Sequence, residues 1–190
     1  NSILGEDRTI VSEMPGTTRD AIDTQVLYQG QKILLIDTAG IRRRGKIDPG
    51  IERYSVLRSI QAIDRAEVTF LTLDASDLVA AQDTHIAGEV AGLFKGAVIV
   101  VNKWDLAEEL DLDQALCLSE VRRRFKFMPY APIMFISAMK NQGIMATMDA
   151  ALMVHQERRR LVSQQDVSDV VMSAMAEHPP PNKGRRSLRL

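Results

Sequence analysis

Aromatic side chains make up only 5% of the 190 residues, and there is one cysteine, Cys117. A single thiol excludes an internal disulfide and fits a reducing compartment. No apolar run approaches the roughly eighteen residues of a membrane-spanning helix, and the amino terminus lacks the basic-then-apolar pattern of a secretory leader. The expectation is therefore a soluble, cytoplasmic protein with no membrane contact. His85, His155 and His178 are scattered without cysteine or carboxylate at ligand spacing, which argues against a histidine-built metal site. A net charge of -1 excludes wholesale polyanion binding, although basic residues bunch at Arg42–Arg44, Arg122–Arg124, Arg158–Arg160 and Lys183–Arg186. Such bunching reads first as solvated helix ends. The initiator methionine is also missing, and Asn1-Ser2-Ile3-Leu4-Gly5 reads as the last turn of a helix that begins upstream, so a fragment is expected.

What is present is an α/β pattern. With 45% hydrophobic and 26% charged residues, the chain can fill one α/β domain and part of a second. Strand-like runs at Thr24–Tyr28 and Lys32–Ile36, joined by Gln29-Gly30-Gln31, predict an antiparallel hairpin. Apolar residues at helical spacing predict a helix from about Ile51 to Arg65. Strands at Glu67–Asp74, Ala97–Val101 and Ile133–Ile136 then alternate with helices near Thr84–Phe94, Leu112–Phe125 and Ile144–Arg160. That alternation predicts a doubly wound sheet. After Arg160 the character changes. Ser163 to Asp166 resembles a capping box with Asp in the Glu position, an apolar face follows through Val167, Val170, Val171, Ala174 and Met175, and Pro179–Pro181 ends that helix. Lys183–Leu190 reads as the start of a further strand. Residues 1–160 are read as one domain and 161–190 as the opening of another. The nine methionines read as packing for cores and interdomain faces.

Polar residues cluster where strands end, and parallel sheets keep ligands at the carboxyl ends of their strands. Asn102-Lys103-Trp104-Asp105 follows the buried-looking run Ala97–Val101. A carboxylate at Asp105 can accept from the ring N–H and the exocyclic amine of guanine together, a donor pair that adenine lacks. Lys103 would lay its methylene stem over the base, and Asn102 would tie neighbouring loops together. Asp37-Thr38-Ala39-Gly40 closes the second hairpin strand. There Asp37 could hold Mg²⁺ through water while the Gly40 amide meets a terminal phosphate, which only a residue without Cβ lets the backbone approach so closely. Pro15-Gly16-Thr17-Thr18 is a loop whose hydroxyls suit hard cations. Ser137-Ala138 ends a third strand, and its amides could meet the guanine carbonyl or simply cap a helix. Each stretch alone also reads as an ordinary polar turn. Their order along one chain is what narrows the choice.

Taken together, PGTTRD, DTAG, NKWD and SA resemble the motifs of translation-factor-type GTPases. DTAGIRRRGK, IERYSVLRSIQAIDRA, VNKWDL and HPPPNKGRR resemble, more narrowly, the second G domain of the Der (EngA) family. The resemblance runs from Ile3 to the end of the chain. It implies a P-loop NTPase-like doubly wound sheet lacking its first strand and phosphate loop, followed by the start of an α+β KH-like domain. It further implies GTP/GDP binding with Mg²⁺ and K⁺, and a role in maturation of the large ribosomal subunit. The implied partners are that subunit with its RNA, the protein's own upstream G domain and its KH-like domain. By the same resemblance Thr18 ligates Mg²⁺, and Thr17 with the main chain around Ser12 and Met14 helps hold the monovalent cation. Asp37, Thr38, Ala39, Gly40, Ile41, Asn102, Lys103, Trp104, Asp105, Ser137 and Ala138 are the implied nucleotide contacts.

Two departures qualify the resemblance. The glycine-rich phosphate loop that the family places just before Asn1 is absent, and with it the donors that anchor the phosphates, so weak nucleotide binding is expected of this chain. Ile41 stands where many GTPases carry Gln, and no catalytic base can be named. Hydrolysis would then lean on charge neutralisation by cations. The competing reading is a non-hydrolysing RNA-binding scaffold built on a degenerate G fold.

Overall fold

The computed structural model describes Ile3, residues 10–12 by their backbone, and residues 23–36 and 60–178. Met14, Thr17, Thr18 and the run Asp37, Thr38, Ala39, Gly40 and Ile41 lie outside the described residues, as do most of the expected helix before Arg65 and everything after His178.

Six strands form two three-stranded sheets among the described residues: β1 (Ile10–Ser12), β2 (Asp23–Tyr28) and β3 (Gln31–Ile36) in one, β4 (Val68–Asp74), β5 (Gly96–Asn102) and β6 (Ile133–Phe135) in the other. The first sheet is antiparallel and the second parallel. The hairpin closes over two residues rather than three. Gln29 and Gly30 both have positive φ (49° and 75°), the combination of a tight turn whose twist matches its strands, so Gln31 is free to pair with Tyr28. Strand β1 was not anticipated. Three residues are too few to show a period, and Ser12, expected near a cation, pairs its backbone with Gln25 at the sheet's edge.

The parallel sheet carries the core. Gly96 to Val101 are all buried, as an unbroken apolar strand covered on both faces should be. On one face Leu71, Leu73, Ile99 and Val101 meet Ala87 and Val90 of α2 (Ala81–Gly92) and Val121 of α3 (Gln114–Arg124), together with Phe125 and Ile63 from α1, described over residues 60–65. On the other face Val98 and Val100 meet Ile144, Ala150 and Val154 of α4 (Ile144–Arg158). Helices on both faces of a parallel sheet make the doubly wound architecture. The antiparallel sheet is tied to this body through polar bonds: the Tyr28 hydroxyl donates to Asp149 Oδ1 at 2.6 Å and Gln29 Nε2 to the same oxygen at 2.7 Å.

Helix α2 starts three residues before its expected position. Its first turn, Ala81-Gln82-Asp83, is not apolar enough to register as periodic, but Asp83 accepts the Ala80 amide at 2.9 Å and caps it. The chain divides into two compact units, Asn1–Arg158 and Arg159–Leu190. In the second unit α5 (Gln164–Glu177) begins at Ser163, whose hydroxyl accepts the Asp166 amide at 3.1 Å and donates to the Asp166 carboxylate at 2.7 Å. The Asp166 carboxylate thus bonds the capping hydroxyl, where a full capping box would have it accept the backbone amide of the capping residue.

Candidate functional site

Because β4, β5 and β6 are parallel, their carboxyl ends fall together. Register aligns Asp74 of β4 with Asn102 of β5, and Val101 with Phe135 of β6. The backbone continues this stitching past the strands: Ala75 N donates to Asn102 O at 2.9 Å and Trp104 N to Ile136 O at 2.9 Å. Asn102, Lys103, Trp104, Asp105, Ser137 and Ala138 are thereby gathered at one end of one sheet.

The turn after β5 is sharp. Lys103 sits in the left-handed region (φ 64°, ψ 31°), and Trp104–Leu106 then form a single 3₁₀ turn. A side-chain-bearing residue in that region is uncommon and clusters at functional sites. Asn102 Oδ1 accepts the Ala138 amide at 3.0 Å and so joins the turn after β5 to the turn after β6. Lys103 Nζ lies 2.5 Å from Asp74 Oδ2. Asp105 differs from both. Its Oδ1 is buried and has no hydrogen-bond partner among the described residues. A desolvated carboxylate oxygen without a donor is unfavourable by about 1–3 kcal/mol or more, and a ligand N–H would remove that penalty.

Trp104, Ser137 and Ala138 are each held by contacts within the protein. The Trp104 ring meets Phe135 edge-on, centroids 4.5 Å apart, and packs against the core, where a large apolar indole gains most from burial. It anchors the turn after β5. Ser137 is 1% exposed; its amide and carbonyl both bond Gln142 at 3.0 Å, and its hydroxyl accepts the Lys140 amide at 3.1 Å. The Ala138 amide is engaged by Asn102. The Ser-Ala turn thereby braces Asn102.

In sequence Asp74 is marked only as the end of a strand. Its Oδ1 accepts the Ser76 amide at 3.0 Å and the Ser76 hydroxyl at 2.7 Å, while Oδ2 faces Lys103. Burial pushes its carboxyl up, but donation from Lys103 and Ser76 outweighs this and leaves it below the usual carboxylate value. A carboxylate at the tip of the strand beside β5 was the available signal. No group of three or more His, Cys, Asp or Glu side chains is arranged to hold a metal ion among the described residues, and the expected Mg²⁺ and K⁺ ligands other than Ser12 lie outside them.

Residues 1–103 match the family of 50S ribosome-binding GTPases. The chain belongs to that family. It is 47% identical over 180 residues to the GTPase Der of Herpetosiphon aurantiacus, covering 95% of this chain and 40% of that protein. To the GTPase Der of Thermomicrobium roseum it is 46% identical over 185 residues, covering 96% and 40% respectively. The chain thus spans about 40% of the length of these curated relatives. Among solved structures, Era in complex with MgGDPNP and a segment of 16S ribosomal RNA is similar over 81% of this chain and 50% of that one, with a TM-score of 0.60 at 25% identity. The fold is accordingly that of a P-loop NTPase-like GTPase domain, as the family resemblance implied.

Proposed function

We propose that the intact protein binds guanine nucleotide at the carboxyl end of the β4-β5-β6 sheet and hydrolyses GTP as a maturation factor for the large ribosomal subunit. One observation carries the base assignment: Asp105 presents a buried oxygen with no protein donor among the described residues, beside Lys103 and Asn102, at the place where such sheets bind ligands. In this reading Asp105 accepts from the base, Lys103 covers its face, and Asn102 holds the two turns at a fixed spacing. Asp37, Thr38, Ala39, Gly40 and Ile41 would meet the outer phosphates. Thr18 and Asp37 would hold Mg²⁺, with Thr17, Ser12 and Met14 near a K⁺ ion. When bound, the two cations would neutralise charge that develops on the phosphates.

Kinship to the ribosome-binding GTPase family and to Der proteins supports the large subunit and its RNA as partners, with an upstream G domain and a KH-like domain, begun at residues 161–190, as partners within the same protein. The cytoplasm is the compartment this implies. No helix among the described residues is long and apolar enough to cross a membrane.

The test is a titration of fluorescent GDP and ADP analogues into the full-length protein and into this chain. Strong preference for GDP in the former and at most weak binding in the latter are expected. Micromolar GDP affinity in this chain refutes its predicted weakness, and a full-length protein indifferent to the base refutes the assignment of Asp105. Turnover in K⁺ should exceed that in Na⁺, and equal rates would remove the monovalent cation from the mechanism.

A further inference from the structure

We propose that Asp74 is a positioning residue of the base site, holding the Lys103 ammonium so that the lysine stem lies ready as a platform before any nucleotide arrives. The proposal rests on the guanine reading and adds a residue that the sequence motif does not contain.

The geometry is directional. Adjacent parallel strands lie about 4.8 Å apart, and register puts Asp74 directly beside Asn102, one residue before Lys103. Ser76 fastens one carboxylate oxygen with two hydrogen bonds, at 3.0 Å and 2.7 Å. The second oxygen is then fixed in direction and meets Nζ at 2.5 Å. The chain folds back to supply that serine: Asp77 N donates to Asp74 O at 3.1 Å, closing the bend that carries Ser76. Both members of the ion pair keep solvent access, with side chains 48% and 36% exposed. Such pairs contribute little stability, so fold maintenance is a poor account of a carboxylate this carefully oriented. Lysine otherwise loses considerable rotamer freedom when it is immobilised. An ammonium already tethered at its far end has lost that freedom in advance, which is how preorganisation raises affinity. The left-handed backbone at Lys103 serves the same end by directing the stem from a fixed starting point.

Affinity and selectivity should consequently separate. In the full-length protein, Asp74→Asn keeps the side chain's shape and removes its charge. It should weaken GDP and inosine diphosphate alike by about three- to tenfold, leaving their ratio unchanged. Asp105→Asn should collapse that ratio. In a Lys103→Met background, where no ammonium remains, Asp74→Asn should have no effect on GDP affinity. Unaltered GDP affinity in Asp74→Asn, with the ratio still collapsing in Asp105→Asn, overturns the role of Asp74 and leaves the guanine reading intact. An undiminished loss in the Lys103→Met background also overturns it, since Asp74 would then act by another route. A ratio unmoved by Asp105→Asn defeats the guanine reading itself. Should Asp74→Asn fail to fold, Ser76→Ala, which frees the carboxylate to swing, is read by the same three measurements.

Discussion

The two ends of the parallel sheet are built from different materials. At the amino end the fastenings saturate backbone groups: Gly96 N donates to Glu67 O at 3.0 Å, and the Arg158 guanidinium donates to the carbonyls of Glu67 and Phe94, the latter at 2.8 Å. Packing there leaves no slack. A Cβ on Gly96 would stand 2.8 Å from Val154 Cγ1, 2.9 Å from Arg158 Cδ and 3.1 Å from the Glu67 carbonyl oxygen. At the carboxyl end the fastenings run through side chains of Asp74, Ser76 and Asn102, one residue is held in the left-handed region, and one carboxylate oxygen is left without a donor among the described residues. One end is closed by the protein's own groups, and the other leaves a buried acceptor without a donor among the described residues. If the carboxyl end binds nucleotide as proposed, stability and selectivity belong to opposite ends of the same three strands, and substitutions at the two ends should separate them.

The largest separation is expected at Asp105. In the full-length protein Asp105→Asn should reduce the preference for guanine over adenine nucleotides on the order of 10⁴-fold, because a site that relies on paired hydrogen bonds loses its discrimination with them. Competition between GDP and ADP measures this. The same substitution in this chain should not lower the melting temperature, since it removes a buried charge that no donor among the described residues satisfies. A loss of stability with selectivity intact would reverse the contrast between the two ends. Gly96→Ala should do the opposite. Overpacking against Val154 and the Glu67 carbonyl should destabilise the fold by about 1–3 kcal/mol, read by denaturant or thermal unfolding, while nucleotide selectivity in the full-length protein stays unchanged.

How much of this was legible beforehand depended on the kind of interaction. Val98 to Val101 announce a buried strand because β-branched residues in an unbroken run have few other homes. Asn102 was legible because its chemistry is local: its own side chain, a few bonds from the strand that carries it, ties the turns after β5 and β6 together. Asp74 was not, since its meaning depends on which strand lies next to β5, a fact of topology. The packing of Trp104 was hidden for a related reason, since its partner Phe135 lies on another strand and the 3₁₀ turn that brings the two rings together is not written in the motif. Ser137 and Ala138 were located correctly as a turn, yet the partners of their amides, Gln142 and Asn102, are set by tertiary contacts that no short motif records.

A smaller effect should appear at Asn102. Replacing it with Ala removes the acceptor that the Ala138 amide uses at 3.0 Å, so the link between the turns after β5 and β6 is lost. The expected destabilisation is about 1 kcal/mol, less than for Gly96→Ala. Amide exchange at Ala138, measured in this chain, should quicken while amides of the Gly96–Val101 core keep their protection. Equal loosening of both would mean that the two ends of the sheet are one cooperative unit.

The smallest effect is expected away from both ends, on the exposed side of α3. Arg123 bonds Glu120 at 2.9 Å and 2.7 Å, and Arg124 bonds it at 2.9 Å, whereas Arg122 reaches the Ala131 carbonyl at 2.7 Å. Donation by Arg123 and then Arg124 holds the Glu120 carboxyl at about 2, below its ordinary 4.5. A folded-state value below the unfolded one means a stabilising contribution that is complete above 4.5 and lost as pH falls through about 2. Because the pair faces solvent, that contribution should be slight and screened by salt. Glu120→Gln should leave both selectivity and melting temperature at neutral pH unmoved. Carboxyl NMR should place the Glu120 midpoint below its ordinary 4.5 at low ionic strength and closer to it in concentrated salt. A neutral-pH loss of stability from Glu120→Gln would instead assign this arginine cluster a structural role comparable to that of Arg158, and the division of labour would no longer run along the strands.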